Sequence, residues 1–256
     1  MCKNYDITFY DCFDDFIKHD MDAVVLANYA NEHARFAIAA MKAGKHIFSE
    51  VLPVQTMKEA VELIETVEET GKIYAYGENY CYMPATYEMK RLYGENKIGE
   101  FEYGECEYLH NCEPIWPERE QDEKCKAFGH GGSDYYVMYS FAEKILGNPN
   151  ADIIDVYEAI DMFLPGMFAY RSILNGGISM DIPNLRNKDE REKWRNDTAC
   201  TDPAVAGNML LPTSPNGTPD IEDGVYEAMK QKWLDAVDSN SGYTHMAFTQ
   251  GSEDKE

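Results

Sequence analysis

The sequence predicts an α/β fold, in which a partial parallel sheet is followed by a reduced α+β domain. Residues 23–49 give the first observation, because they combine a strand, a helix and a second strand in one compact βαβ unit. The second observation is that strand and helix patterns keep alternating as far as Gly99, as in a parallel sheet. The third is a change beyond Gly99, where residues 101–109 alternate as FEYGECEYL, which is typical of a bent antiparallel strand.

The βαβ unit begins with Ala23–Ala27, a continuous apolar run of the kind found in strands that are buried on both faces of a parallel sheet. A helix is predicted from Glu32, with apolar residues on one face, and Gly44 stands where a glycine commonly ends a helix. His46–Ser49 is the second predicted strand. Ligands bind beyond the carboxyl ends of strands in such sheets, so the polar residues after each strand form the predicted functional edge, called the rim below.

Local signals also define the elements that follow the βαβ unit. Thr56 is predicted to cap a helix that extends to about Thr70, with Glu59 completing a capping box. Ile73–Tyr76 is the next predicted strand, and Pro84 marks the start of a further helix.

A fourth strand is expected at the near edge of the sheet. Ile7–Tyr10 is short and apolar, and the connection through residues 11–19 is short enough to close at little entropic cost. A crossover through that connection makes the new pair parallel. We therefore expect a four-stranded parallel sheet whose strands begin, in spatial order, at Ile7, Ala23, His46 and Ile73.

The pattern divides the chain into a sheet domain at residues 1–98, a reduced α+β domain at residues 99–239 and a polar tail at residues 240–256. In the second domain, helices are predicted over residues 133–146, 156–174, 189–196 and 220–237. Pro165 is expected to interrupt the second of these helices. Residues 178–182 are a strand candidate.

Composition excludes several classes of function. The chain has 256 residues and a formal net charge of −23, which argues against nucleic-acid binding because phosphate backbones need clustered Lys and Arg. No apolar run approaches the ~20 residues of a membrane helix, so no membrane partner is expected. Seven cysteines without a C-x-x-C pair favour reduced thiols in a cytoplasmic protein. Cys106, His110 and Cys112 match no standard zinc spacing, and a strand with scattered polar side chains explains them better.

Polar residues after the predicted strands are the candidates for ligand binding. Asn28 follows the first strand of the βαβ unit, Glu50 the second, and Asn79 the strand after that. His130 and Asp134 form the acid/base pair in the most favourable context, because neighbouring glycines admit a ligand and a helix N-terminus favours anions. Each feature also has an explanation without a ligand. Asn28 can belong to a polar turn, Glu50 can cap the following loop, and Asp134 can be a first-turn aspartate after an ordinary glycine loop.

The stretch AAMKAGKHIFSEVLPVQTMKEAVELIE resembles the Gfo/Idh/MocA oxidoreductases. His33 matches the histidine at the start of the family's helix, residues 43–47 (AGKHI) match its A-G-K-H-V element, and Glu50 matches the glutamate of its Glu-Lys-Pro tripeptide. The segments GHGGSDYY and NGGISMDIPN resemble, more loosely, the C-terminal part of the NAD-dependent glycosidases in the same superfamily.

Three departures from the family pattern bear on activity. The sequence contains no G-x-G-x-x-G motif, which in the family holds the cofactor pyrophosphate. Val51 stands where the family has the tripeptide lysine, and valine cannot polarise a carbonyl. The Asp-x-x-x-His segment of the C-terminal domain is also missing from the stretch between Pro117 and GHGG.

The resemblance implies a partial Rossmann-like sheet, NAD or NADP as cofactor, and a sugar or polyol derivative as substrate. It implies substrate-side proton transfer by His130 and Asp134, and cofactor contacts from four residues: Asn28, His33, Glu50 and Asn79. The departures predict weak cofactor binding and impaired activity, and a homo-oligomer is possible. Two alternatives stay open: glycoside cleavage through bound NAD, and a non-catalytic module that keeps only binding or oligomerising surfaces.

Overall fold

The computed structural model describes residues 7–100, 102, 129 and 132–238. The chain forms two compact units, one spanning residues 20–210 and the other combining the described residues 7–19 and 211–238. The sheet and the rim lie in the first unit. The predicted domain boundary between residues 98 and 99 stays a prediction.

The α/β fold class is confirmed by a three-stranded parallel sheet with the spatial order β1–β2–β3. The strands are β1 (Ala23–Leu26), β2 (His46–Ser49) and β3 (Tyr74–Tyr76). Val25 lies opposite Phe48, and Phe48 lies opposite Ala75. The side chains of these three residues therefore share one face of the sheet.

Both compact units contain helices. Those of the first unit are α2 (His33–Lys42), α3 (Met57–Thr70), α4 (Pro84–Gly94), α5 (Ser133–Ile145), α6 (Val156–Leu174), α7 (Lys188–Trp194) and α8 (Pro203–Ala206). The second unit contains α1 (Phe13–Phe16) and α9 (Asp223–Asp238). Short 3-10 turns lie at Ala30–Glu32, Asn79–Tyr82 and Gly207–Met209.

Local capping signals set the helix ends as predicted. The Thr56 side chain accepts a hydrogen bond from the Glu59 backbone N–H, and the Glu59 carboxylate accepts one from the Thr56 N–H, so the predicted capping box is present. Gly44, just past α2, has φ +85, and Gly71, at the end of α3, has φ +62. Both conformations favour glycine.

The two faces of the sheet are covered to different extents. Helix α2 packs against β1 and β2, and α3 packs beside α2, where Val24 and Ile47 are buried. On the other face, the ring centroids of Phe48 and Phe141, a residue of α5, lie 5.7 Å apart. Val25 on that second face stays 54% exposed.

The two edges of the sheet also differ. At β3, the Tyr76 N–H donates to the Ile154 carbonyl at 2.9 Å, so the segment before α6 covers that edge. At β1, the carbonyls of Asp22 and Leu26 accept hydrogen bonds from residues of or next to β2 at 2.8 and 3.0 Å. In a parallel pair, alternate residues bond to the same neighbouring strand, so the backbone N–H and carbonyl of Val25 point away from β2. Within the described residues, no strand extends the sheet beyond β1.

Three predictions about individual elements are wrong. Ile7–Tyr10 forms no strand and belongs to the other compact unit, so the sheet has three strands instead of four. Helix α6 continues through Pro165, because its buried stripe, which includes Ile160, Leu164 and Phe168, outweighs the ~3 kcal/mol that an interior proline costs a helix. Residues 178–182 are irregular instead of a strand. The predicted strand at residues 101–109 lies outside the described residues, apart from Glu102.

Ion pairs hold α7 against α3. Arg191 is 1% exposed and donates two hydrogen bonds to the Glu68 carboxylate at 2.6 and 2.7 Å, and one to the Leu185 carbonyl at 2.6 Å. The Tyr157 hydroxyl donates to the same carboxylate at 2.6 Å. The hydrogen bonds from Arg191 lower the pKa of Glu68 to about 2, so this carboxylate stays ionised in the folded protein down to strongly acidic pH.

Across the described ranges, none of the helices combines the length and apolar character that crossing a membrane requires.

Candidate functional site at the rim

The rim lies where the three parallel strands end. Asn28 follows β1, Glu50 directly follows β2, and Asn79 begins the 3-10 turn that follows β3. Two backbone bonds continue the sheet to this edge: the Glu50 N–H donates to the Leu26 carbonyl at 3.0 Å, and the Gly77 N–H donates to the Ser49 carbonyl at 2.8 Å. The fold therefore places three of the predicted binding residues along one edge.

Gly77 allows this edge to pack closely. A Cβ atom at this position would lie 3.0 Å from ring atoms of Phe48 and 3.2 Å from the Ser49 carbonyl oxygen. Few side-chain contacts are this short, so a larger residue would push β3 away from β2.

His33 is buried beneath the rim, with 1% of its surface exposed. Its Nδ1 lies 2.9 Å from the Leu52 carbonyl oxygen and its Nε2 lies 3.1 Å from the Asn28 carbonyl oxygen. A carbonyl oxygen only accepts hydrogen bonds, so each ring nitrogen that carries an N–H donates to the oxygen it faces. His33 thus ties the loop after β2, whose Val51–Leu52 peptide bond is cis, to the turn after β1. Its direct contact with a cofactor stays a prediction.

Asn28 is exposed at the end of β1. Its Nδ2 lies 3.5 Å from both the Tyr29 carbonyl oxygen and the Glu32 carboxylate. Hydrogen bonds of this length are weak, so the side-chain amide is able to exchange them for a ligand.

Glu50 is partly buried at the end of β2. Burial is the largest cause that raises the pKa of its carboxyl, and the negative charges of Asp134 and Glu78 raise it further. A hydrogen bond from the Val51 backbone and the charge of His33 act in the opposite direction. The net effect is a carboxyl that binds a proton more readily than an exposed glutamate does, which suits proton transfer or a hydrogen bond to a hydroxyl.

Asp134 joins the rim through Asn79. The Asn79 Nδ2 donates to one Asp134 carboxylate oxygen at 3.0 Å, across 55 positions of sequence. The other oxygen would lie 2.6 Å from a Cβ at Gly129, so the carboxylate rests against this glycine. The predicted catalytic residue Asp134 and the predicted binding residue Asn79 are therefore partners. His130 lies outside the described residues.

Glu78 also lies at the rim, although it is not among the residues predicted from the sequence. Its charge acts on Glu50, and its carboxylate accepts a hydrogen bond from the Tyr80 N–H at 3.1 Å. Its position in the sequence could have indicated this role, because Glu78 stands between the end of β3 and Asn79 at the predicted rim.

The described residues contain no group of three or more His, Cys, Asp or Glu side chains arranged to hold a metal ion. Cys106, His110 and Cys112 lie outside the described residues, so the prediction about them stays open.

Two families match the chain. Residues 1–78 match Gfo/Idh/MocA, an oxidoreductase family with an NAD-binding Rossmann fold. Residues 106–195 match the C-terminal domain of glycosyl hydrolase 109.

Curated relatives carry the second name. A glycosyl hydrolase family 109 protein of Shewanella amazonensis is 33% identical over 114 residues, which is 44% of this chain and 25% of that protein. One from Bacteroides fragilis is 35% identical over 100 residues, which is 39% of this chain and 22% of that protein. The chain thus spans about a quarter of the length of these relatives.

Solved structures that match part of the chain include two inositol dehydrogenases. The apo scyllo-inositol dehydrogenase of Lactobacillus casei is 25% identical with a TM-score of 0.33, covering 35% of this chain and 27% of that one. The myo-inositol 2-dehydrogenase of Lactobacillus plantarum is 22% identical with a TM-score of 0.33, covering 36% of this chain and 27% of that one. The predicted resemblance is confirmed by the family matches: residues 1–78 are similar to the NAD-binding Rossmann domain of the Gfo/Idh/MocA oxidoreductases, and residues 106–195 are similar to the C-terminal domain of glycosyl hydrolase 109.

Proposed function

We propose that the rim binds the nicotinamide end of NAD or NADP, in an enzyme that oxidises or reduces a carbon of a sugar or polyol. One observation carries this proposal. Asn28, Glu50 and Asn79 follow three adjacent parallel strands at their carboxyl ends, where such sheets bind ligands, and Asn79 brings Asp134 to the same place.

The rim residues suit the nicotinamide half of a dinucleotide. The exposed amide of Asn28 can donate to and accept from a carboxamide, and Glu50 can accept a hydrogen bond from a ribose hydroxyl. When bound, the nicotinamide supplies hydride transfer. The part of this chain is to orient that end of the cofactor and to present the carboxyl groups of Glu50 and Asp134 for proton transfer.

The pyrophosphate half fits this chain less well. The sequence has no G-x-G-x-x-G motif to bring backbone amides and a helix N-terminus against the phosphates. The rim therefore contributes most of the binding by this chain, and we expect the affinity for the dinucleotide to be low.

Glycoside cleavage is the second candidate function. Residues 106–195 match the C-terminal domain of glycosyl hydrolase 109, and the curated relatives carry that name. A dehydrogenase changes the redox state of added nicotinamide in proportion to product, whereas a glycosidase with a transient oxidation releases sugar without net change. Measuring nicotinamide absorbance and released sugar in the same reaction separates the two candidates.

Isotope-edited NMR with NADH tests the binding proposal. We expect the amide signals of Asn28, Glu50 and Asn79 to shift as NADH is added, and Glu50→Gln to weaken that response. Glu69→Gln is the matched control, because Glu69 is an exposed glutamate near the end of α3 and outside the rim. Shifts that avoid the rim, or that Glu50→Gln and Glu69→Gln alter equally, would overturn the proposal.

A further inference from the structure

We propose that Asn79 is a positioning residue, which fixes the Asp134 carboxylate between the rim and the start of α5. This inference rests on the proposed function, because it assigns Asn79 a task within the same site. The contact itself is the hydrogen bond from the Asn79 Nδ2 to an Asp134 carboxylate oxygen at 3.0 Å.

The donor is held on a well-anchored turn. Asn79 begins the 3-10 turn that ends at Tyr82, and the Glu78 carboxylate caps this turn by accepting from the Tyr80 N–H at 3.1 Å. The Tyr82 ring is buried, and its hydroxyl donates to the Asp152 carbonyl at 3.0 Å. The Asn79 amide therefore occupies a fixed place relative to β3.

The acceptor is held equally closely. Asp134 is the second residue of α5, after the buried Ser133 and after Gly132, whose φ of +88 favours glycine. The Gly132 N–H donates to the Gly129 carbonyl at 2.9 Å. The second Asp134 oxygen would lie 2.6 Å from a Cβ at Gly129, so any side chain there would displace it.

The position of this charge affects the rest of the rim. Burial is the main cause of the raised pKa of Glu50, and the charges of Asp134 and Glu78 add to it, while the Val51 N–H and His33 oppose it. A residue that fixes Asp134 therefore also helps to set the protonation of Glu50. A merely structural hydrogen bond would lack this effect.

Two variants of the full chain test the proposal in opposite directions. Asn79→Ala removes the hydrogen bond from Asn79 that positions the Asp134 carboxylate, so the midpoint of the Glu50 titration, followed by carboxyl-carbon NMR, should fall by at least about 0.3 pH units. Asn79→Asp adds a negative charge at the same place and should raise that midpoint. Backbone amides at Gly132 and Val137 should exchange with deuterium about tenfold faster in both variants, because the first turn of α5 loses its anchor.

Asn148→Ala is the matched control. Its Nδ2 donates to the Glu143 carboxylate at 2.8 Å near the other end of α5, so its loss should leave Glu50 and the first turn unchanged. Gly129→Ala should also displace the Asp134 carboxylate, because the new Cβ would lie against one of its oxygens. It should therefore reproduce the faster amide exchange of Asn79→Ala. Unchanged Gly132 exchange in Asn79→Ala and Gly129→Ala, or a Glu50 midpoint that moves the same way in Asn79→Ala and Asn79→Asp, would overturn the proposal.

Failure of the proposed function looks different from failure of this inference. If unaltered protein shows no NADH response at the rim but Asn79 variants shift Glu50 as described, the binding function is wrong and the positioning role stands. If NADH shifts the rim but the variants leave Glu50 and Gly132 unchanged, the positioning role is wrong and the function stands.

Discussion

Buried polar side chains with fixed partners hold both the rim and the helices around it at the scale of single residues. His33 bridges two backbone carbonyls beneath the rim, and Arg191 bridges Glu68 and the Leu185 carbonyl between α3 and α7. Each residue joins segments that are distant in the sequence. Their removal would therefore affect tertiary structure more than local helix formation.

The Arg191–Glu68 pair gives a prediction about acid stability. Because hydrogen bonds from Arg191 lower the pKa of Glu68 from 4.5 to about 2, the pair stabilises the fold above pH 4.5, and this contribution declines as the pH falls toward about 2. Glu68 is 34% exposed, so after solvent screening we expect about 1–2 kcal/mol from its ionisation. Urea unfolding should show that Arg191→Met loses this amount near neutral pH and much less near pH 2.

Lys193→Met is the control for that measurement, since Lys193 lies on the same helix and makes an exposed pair with Glu190. We expect it to change the free energy of unfolding by less than about 0.5 kcal/mol at every pH. A loss in Arg191→Met that stays constant between neutral and acidic pH would contradict the assigned ion pair.

Gly77→Ala should destabilise the sheet by about 1–3 kcal/mol, because the new methyl group would press on the Phe48 ring and on the Ser49 carbonyl. The Phe48 ring is itself packed on Phe141 and has little room to move. Gly94→Ala, at the end of α4 with open space around it, should be neutral or slightly stabilising. Thermal unfolding of both variants checks this, and equal melting temperatures would contradict the close packing.

Among the secondary-structure elements, the two edge strands of the sheet differ in how far they are covered. The edge of β3 is covered by the Ile154 segment, whereas β1 turns outward an exposed Val25 and backbone groups that pair with no strand of the described part of the chain. Exposed apolar edge strands pair readily with other chains. We therefore expect concentration-dependent self-association, which sedimentation velocity can detect.

Val25→Lys should reduce that self-association, because charged edge residues oppose strand pairing. Leu146→Lys is the control: Leu146 is 80% exposed, more than Val25 at 54%, but lies at the end of α5. Equal effects of the two substitutions on self-association would indicate nonspecific association of exposed apolar side chains instead of pairing through β1.

Elements with local signals could be predicted from the sequence, and those that depend on distant packing could not. The capping box of Thr56 and the glycine after α2 act within a few residues, and both helix ends were predicted correctly. Pairing of Ile7–Tyr10 with β1 depended on tertiary packing between the two segments, which leaves no local sequence signal, and that prediction was wrong. At the site, strand order alone located Asn28 and Glu50 at one edge, but the bond between Asn79 and Asp134 spans 55 positions and had no sequence signal.

For the whole molecule, the proposed nicotinamide site at the rim stands beside a sequence that lacks the phosphate motif and the tripeptide lysine of the Gfo/Idh/MocA pattern. Val51→Lys alone should therefore not produce robust dehydrogenase activity, since catalytic groups that act as a unit are not additive. A screen of sugars and polyols with NAD and NADP checks this. Turnover near ~10 s⁻¹, a typical enzyme rate, would contradict it.

Nicotinamide binding at the rim is tested by comparing the affinity of the chain for NADH with its affinity for reduced nicotinamide mononucleotide, which lacks the adenylate half. If the rim supplies most of the binding, the two dissociation constants should agree within about threefold and lie well above ~10 μM. A low-micromolar constant for NADH with a hundredfold weaker mononucleotide would show that this chain holds the adenylate half strongly. Absence of binding by both ligands would contradict a nicotinamide site at the rim.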